Sequence, residues 1–508
     1  MGKLVARRLR GSYLSPKEVA VLHPLEIYNE STREVSEEFV DHPLRQLSGA
    51  LPGALRGVLY RNGPGRLSHH GYRYDHLFDG DGMVQRFLFR DGEVRYTNRY
   101  VRTREFLEEE KAGKPLYRSF GTNLPGGFLR NAFRMHFKNT ANTHVLLNNG
   151  RLFTLWEGGA PHELDPVTLE TRGFATFGGV LEPRYAGERA MGVGRPFAAH
   201  YRLERGTGDT VSFGLSPGLK QRLLLHRLDK EGDLRPPVEL VLPHLSFVHD
   251  FVLTEEGDRI FFLVPVSFGV AASFAGFSTP VGSIVSRKEP TTVLICRGEE
   301  VAHRLHSDPC YLFHFINGYR EGESFVVDLC RMDAFPSAGD VKALLHDRVP
   351  ENPMFGFVTR YRIDPGGGNV RKERLFDHPM ELPAVNPDKQ GRRYRYAWAI
   401  AGDPQRRTAE GTIHGVAKFD LEGGTAIYKS FYPNFPGEPL FVGDPEGSGE
   451  EDAGWIVMLL FNVREERTEL LLLDAATLEE QWRAALPVPI HIGFHGVWSS
   501  DERYLRRP

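Results

Sequence analysis

Four histidines lie far apart in this chain, each inside an apolar-flanked stretch: His200 in AAHYRLERGTGD, His249 in SFVHDFVL, His314 in YLFHFINGY and His495 in IGFHGVW. They are separated by 49, 65 and 181 residues, and no CxxC, HExxH or compact Cys/His cluster accompanies them. Brought together by a fold, they would make an all-nitrogen metal site of neutral ligands. Neutral imidazoles leave the metal's charge uncompensated, and each ring needs a partner at its second nitrogen to fix its orientation. Three glutamates in apolar surroundings are candidates, because a buried carboxylate requires a partner. They are Glu157 in LFTLWEGGAPHELDP, Glu381 in HPMELPAVNP and Glu438 in GEPLFVGDP.

With 20 histidines in the chain, most are surface or hydrogen-bonded core residues. His42, the pair His69 and His70, and the pair His303 and His306 have polar neighbours and are read that way. His244 competes with His249, and His491 with His495. Spacings of five and four do not put both rings of a pair on one metal in strand-rich sequence, so one histidine is retained from each region.

The elements that must position these residues are mostly short strands. Runs such as GMVQRFLFR, DRIFFLVPV, TTVLICR, GWIVMLLFNV and TELLLLD are bounded by Gly, Asp, Asn or Pro, and 54 glycines with 34 prolines fit many tight connections. Helical patterning is confined to SPKEVAVL, TREFLEEEKAG and VKALLHDRV. An all-β fold follows. At 508 residues, with no linker or low-complexity segment to divide it, the chain reads as one domain over 1–508, a propeller with divergent blades. No fixed-period repeat is visible, and PEGSGEED at 445–452 reads as an exposed acidic loop.

Bulk composition excludes several classes. Basic and acidic residues nearly cancel, 63 against 66, so nucleic acid is not an expected partner. Three cysteines, Cys296, Cys310 and Cys330, cannot staple a chain of this length and point to a reducing compartment. The start, MGKLVARRLRGSYLSPKE, has no apolar core of a secretory signal, and Ala6 stands where a myristoylation signal needs Ser or Thr. No apolar run is long enough to span a bilayer. The expected location is the cytoplasm.

The chain resembles the carotenoid cleavage oxygenases. The four His stretches match that family's iron ligands in order and approximate spacing. YRNGPG (60–65), HLFDGDGM (76–83), KNTANTHV (138–145) and LWEGG with LDPVTLET (155–171) match its other hallmarks, over about residues 15–508. The resemblance implies a seven-bladed β-propeller carrying one Fe(II) on its axis under a dome of loops and short helices, with O2 as co-substrate. It implies that Glu157, Glu381 and Glu438 orient His249, His314 and His495, leaving His200 without a carboxylate.

By the same resemblance, Thr143 occupies the position where apocarotenoid-cleaving bacterial members carry a threonine whose methyl crowds an open iron site. Trp156 stands where stilbene-cleaving members carry a lysine that reads a phenol oxygen; an indole offers a polyene an apolar wall instead. Tyr100 in TNRYVRT is expected to line the substrate site in both subtypes. PIHIGFHGVW is shorter than the usual run before the last ligand, which reshapes the loop beside the iron.

The expected reaction is dioxygen-dependent splitting of a conjugated double bond of an apocarotenoid, at the central 15,15′ bond, to retinal-type aldehydes. The alternatives are a stilbenoid-cleaving enzyme of the same family and a non-catalytic carotenoid-binding propeller. A substrate this insoluble calls for delivery from a membrane surface, with no obligate protein partner. Two stretches are apolar enough to dock there, LPGGFLRNAFRMHF (124–137) and VSFGVAASFAGFSTPVGSIV (266–285). The first reads as a short amphipathic helix presenting Phe128, Leu129 and Phe133 beside the basic Arg130 and Arg134.

Overall fold

The computed structural model describes residues 24–218, 220–348, 350, 354–404 and 413–508. Seven sheets of four to six strands form the blades of a β-propeller, and a two-stranded hairpin, Ser68–His69 with Tyr72–Arg73, stands apart from them. Each blade is an antiparallel meander. In the fifth, Tyr311–Glu321 is innermost, followed outward by Ser324–Met332, Phe357–Asp364 and Asn369–Arg374.

The sequence pattern explains this layering. Middle strands such as Gly454–Asn462 (GWIVMLLFN) and Arg467–Asp474 (RTELLLLD) are buried along nearly their whole length. They have a neighbouring blade on both faces, so they read as continuous apolar runs instead of alternating ones. Outer strands such as Asn369–Arg374 (NVRKER) are exposed and charged, which discourages pairing with another chain at the edge. Seven apolar clusters sit one between each adjacent pair of blades. Burying each leucine there stabilises the ring by roughly 1.5–3 kcal/mol.

The ends of the chain close the ring twice. The C-terminal strand Gly496–Ser499 is the innermost strand of the first blade, pairing Val58 with Ser499 and Arg61 with Gly496. The early strand Arg45–Gly49 is the outermost of the seventh, on Glu480–Ala485. Segments between blades build a cover. The buried Arg118 guanidinium gathers the carbonyls of Ser273 (2.9 Å) and Ser278 (2.8 Å), and Phe137 N–H donates to Met191 O.

Two expected helices are present. Arg104–Ala112 is capped by the Thr103 hydroxyl and ended by Gly113 at φ 62°, and Ala338–Leu345 begins with a capping box of Ser337 and Asp340. SPKEVAVL lies outside the described residues, and a helix at Pro24–Ser31 carries no such pattern in sequence. The 124–137 stretch departs from expectation: its helix is a single turn, Phe128–Asn131. Positive φ at Gly126, Gly127 and Phe133 stops helical winding on both sides. The Asn131 amide closes the loop on Leu124 and Gly127.

Candidate metal centre

Every blade contributes one residue at the axis. His495 immediately precedes the innermost strand of the first blade, and His200 that of the third, Tyr201–Leu203. His249 lies between the short inner strands Ser246–Phe247 and Val252–Leu253 of the fourth, and His314 lies within Tyr311–Glu321 of the fifth. Glu157 follows strand Arg151–Leu155 of the second blade, Glu381 lies in Met380–Val385 of the sixth, and Glu438 lies between Phe435–Pro436 and Leu440–Gly443 of the seventh. Regular pleating would send alternate side chains away from the axis. Bulges prevent this: the register slips around His314 between Leu312 and Asn317, and between Glu381 and Ala384, where Leu382 has φ 50°.

The four rings meet at their Nε2 atoms. His200 to His249 is 3.1 Å, His249 to His314 is 3.2 Å and His314 to His495 is 3.2 Å. All four side chains are buried. On the far side, His314 Nδ1 meets Glu381 Oε2 at 2.5 Å, His495 Nδ1 meets Glu438 Oε1 at 2.8 Å, and His249 Nδ1 contacts Glu157 Oε1. A carboxylate at Nδ1 places the proton there, so these Nε2 lone pairs face one another. Neutral lone pairs at this separation repel unless a cation sits among them, and the donor set therefore fits a metal ion. Burial, reinforced by the neighbouring rings, holds His200 and His495 well below the ordinary histidine range, in the neutral form that ligation requires.

The three glutamates are not equivalent. Glu438 is buried and further held by Arg61 Nη1 (3.0 Å) and Gly496 N–H (2.9 Å). Glu381 accepts a second hydrogen bond from Leu382 N–H (2.7 Å). Glu157 is one-third exposed overall, although the oxygen that contacts His249 is itself buried. Among the described residues His200 has no carboxylate within hydrogen-bonding distance: Asp250 Oδ1 is 3.9 Å from its Nδ1 and is committed to Arg202 (2.7 Å).

Thr143 stands beside the cluster, its carbonyl accepting His495 N–H (3.2 Å) and its hydroxyl donating to Asn142 Oδ1 (3.1 Å). Trp156 is buried next to Glu157, bridges to Phe197, and leaves no room for a side chain at Gly158. Phenylalanines flank the rings: Phe313 packs edge-on to His249, with Phe247 and Phe335 behind it, and Phe494 packs against Phe78.

Tyr100 does not join this group. It ends the fourth strand out from the axis in the first blade, with its ring on Phe106 and its hydroxyl between the carbonyls of Val35 (2.7 Å) and Gly65 (2.8 Å). Its place is structural, contrary to the expectation of a substrate contact.

Phe128, Leu129 and Phe133 are exposed, and the second apolar stretch comes to meet them. Phe128 stacks on Phe277 at 4.9 Å, Phe133 packs edge-on to Phe274 at 4.9 Å, and Phe133 N–H donates to Phe274 O. Among the described residues no helix is long and apolar enough to cross a membrane.

The competing histidines point elsewhere. His491 Nδ1 accepts from Gly493 N–H, and its ring packs on Tyr28, while His244 contacts Ser246 and Thr292. The other grouping at liganding distances among the described residues, His69, His70 and Glu110, keeps Glu110 on Arg66 at 2.6 Å.

Three contributors escape sequence reasoning although each lies in a quoted motif. His144 faces Ala199 O with Nδ1 (3.0 Å) and Gly496 O with Nε2 (3.2 Å), the residues flanking His200 and His495. Burial pushes it down to about 4, so it is neutral and donates to one carbonyl at a time. Asp250 ties Arg202 to Phe315 N–H, and Arg61 neutralises Glu438.

Comparison with known proteins agrees with this geometry. The family model described as "Retinal pigment epithelial membrane protein" matches residues 32–500. The chain is 33% identical over 484 residues to the apocarotenoid-15,15′-oxygenase of Synechocystis, covering 90% of this chain and 93% of that one. It is 27% identical to isozyme III of lignostilbene-α,β-dioxygenase of Sphingomonas paucimobilis, covering 90% and 94%. The crystal structure of cobalt-substituted Synechocystis apocarotenoid oxygenase superposes with TM-score 0.84 at 31% identity, covering 94% of this chain and 98% of that one. A four-histidine cluster at the axis of a seven-bladed propeller, matched over nearly its whole length, makes this chain a member of the carotenoid cleavage oxygenase family.

Proposed function

We propose that this protein binds Fe(II) through His200, His249, His314 and His495 and uses O2 to split a conjugated double bond of an apocarotenoid, at the 15,15′ bond, giving retinal-type aldehydes. The observation that carries this reading is the convergence of four imidazole nitrogens, three of the rings backed by carboxylates. Iron(II) in a four-nitrogen site with open positions supplies dioxygen activation. The chain supplies position and dryness. Glu381 and Glu438, both buried, keep their rings in one tautomer and orientation, with Glu157 doing so for His249. Thr143, fixed through its carbonyl to His495, sets its side chain beside the last ligand and narrows the approach to the metal. Trp156, Phe78, Phe313 and Phe494 provide apolar walls that exclude water and align a rigid polyene.

The 33% identity to a protein named for 15,15′ cleavage supports the choice of bond, and the indole of Trp156 supports a polyene over a phenolic stilbene. The test is to incubate iron-loaded protein with a panel of apocarotenals and stilbenes under O2 and identify the aldehydes by mass. Stilbene cleavage without apocarotenal cleavage would reverse the assignment, and tight polyene binding without turnover would favour a carrier.

Substrate delivery is proposed to occur from a membrane. Phe128, Leu129, Phe133, Val270, Phe274 and Phe277 form one exposed apolar patch, with Arg130 and Arg134 exposed beside it to meet anionic headgroups. The double change Phe128→Asp, Phe133→Asp is expected to abolish flotation with anionic liposomes. Cleavage of liposome-borne substrate should fall about tenfold or more, at roughly 1.4 kcal/mol per decade, with cleavage in detergent unchanged. Membrane-borne turnover that survives the double change would refute the docking role.

A further inference from the structure

His76 opens the HLFDGDGM motif and is 2% exposed. Its Nδ1 accepts the N–H of Phe78 at 3.2 Å, capping the short helical turn Leu77–Asp79. A nitrogen that accepts cannot carry the proton, so the hydrogen of the neutral ring resides on Nε2. Burial pushes this histidine down to about 3, so the ring stays neutral at physiological pH. No acceptor among the described residues lies within hydrogen-bonding distance of Nε2, and its surroundings are aromatic: Phe78 at 4.8 Å and Phe120 at 5.9 Å between ring centroids. The nitrogen itself still reaches accessible space, so this donor can take a ligand's oxygen in place of water.

The location of this donor matters. Phe120 O accepts Val281 N–H (2.9 Å), which ties it to the segment that carries the exposed apolar patch. On the other side, Phe78 packs against Phe494, the residue before His495, and its carbonyl accepts from Asn142, which in turn holds the Thr143 hydroxyl. The contacts of His76 thus lead through Phe120 toward the segment of the apolar patch and through Phe78 and Phe494 toward the four-histidine cluster, with its N–H donor set among aromatic rings.

We infer that His76 reads the substrate by donating its Nε2–H to the carbonyl oxygen at one end of a polyene aldehyde. This rests on the apocarotenoid reading above and deepens it. A carbonyl only accepts, so one donor satisfies it. A terminal hydroxyl would bring a hydrogen of its own, for which Phe78 and Phe120 offer no acceptor. The ring cannot swing away, because Gly121 packs against it so closely that a Cβ there would fall 2.2 Å from His76 Cβ.

His76→Asn tests this. Asparagine keeps an acceptor for Phe78 N–H, as a good capping residue, but its amide does not extend to where Nε2 stood. Two readouts are needed. In the metal-free protein, a bound polyene aldehyde should absorb to the red of the same compound bound to His76→Asn, because hydrogen bonding to the carbonyl stabilises the more polar excited state. In the iron-loaded protein, kcat/KM for the aldehyde should fall about tenfold, the scale of one hydrogen bond. The matching hydrocarbon-ended and alcohol-ended polyenes should change by less than about twofold on that scale. Equal losses on all three substrates, no loss on any, or an unchanged absorption maximum would each overturn the inference. Absence of turnover by the wild-type protein would instead refute the apocarotenoid reading, while the absorption comparison still decides the role of His76.

Discussion

Replacing His495 with alanine is expected to reduce retained iron to background and to lower polyene cleavage by more than about 100-fold, beyond the usual cost of losing a residue that merely supports a ligand. His491→Ala should retain iron. The two residues are four apart in one loop, and the structure separates them by what each nitrogen faces. His495 Nε2 lies 3.2 Å from His314 Nε2, its Nδ1 is held by Glu438, and its main-chain N–H is anchored on Thr143. Removing its ring opens the cluster on the first-blade side and strands the buried Glu438, leaving it only Arg61 and Gly496. His491 turns the other way, into Tyr28 and Phe494, with burial pushing it down to about 3 and its Nδ1 capping Gly493. Its loss costs packing and one hydrogen bond, about 1–3 kcal/mol of stability, with no ligand lost. Metal analysis after desalting, paired with product formation, checks both. Iron lost only in His491→Ala would reverse the assignment.

The four-histidine cluster was legible because each histidine carries apolar neighbours that force the ring inward, and because the flanking motifs resemble one family. The glutamates were legible for the same reason, as carboxylates in stretches that must be buried. Residues acting across blades were not. Arg61 meets Glu438 across 377 positions and His144 meets Gly496 across 352, so no local pattern marks either. Tyr100 misled because a strand's distance from the axis is invisible in its own sequence; on the fourth strand out, its hydroxyl is consumed by main-chain carbonyls. The 124–137 stretch misled because amphipathic spacing does not reveal that Phe133 takes a left-handed backbone. Propeller architecture was readable from strand count and punctuation, while the repeat was hidden by unequal insertions such as 102–142 and 333–348, which lie outside the blades.

Lys138→Met is expected to be the most destabilising single change outside the cluster, at about 3–5 kcal/mol. Lys138 is 1% exposed, with its ammonium 2.6 Å from Asp81, 2.7 Å from Glu109 and 3.0 Å from the Tyr74 hydroxyl. It joins helix Arg104–Ala112, the HLFDGDGM motif and the segment that leads through Asn139 and Asn142 to Thr143. Methionine fills the volume and removes the charge. Asp81 keeps Arg66 at 2.5 Å, but Glu109 loses its cation and retains only the N–H groups of Leu116 and Tyr117. Adding Glu109→Gln should therefore recover part of the loss, because removing a buried pair together costs far less than stranding one member.

The pH dependence has a definite sign. Burial alone would raise Asp81, but Lys138 and Arg66 outweigh it and hold the carboxyl below the usual range. Burial alone would lower Lys138, but Asp81, Tyr74 and Glu109 outweigh it and raise the ammonium. A depressed carboxyl contributes stability that is present above its unfolded value and lost as pH falls through the folded one. A raised ammonium contributes stability that is present below its unfolded value and lost as pH rises through the folded one. The gap between wild type and Lys138→Met should thus be widest between roughly pH 4 and 10 and narrow on further acidification. Equal unfolding midpoints at neutral pH would show that this network merely balances its own desolvation, and a gap that widens below pH 3 would show the sign to be wrong.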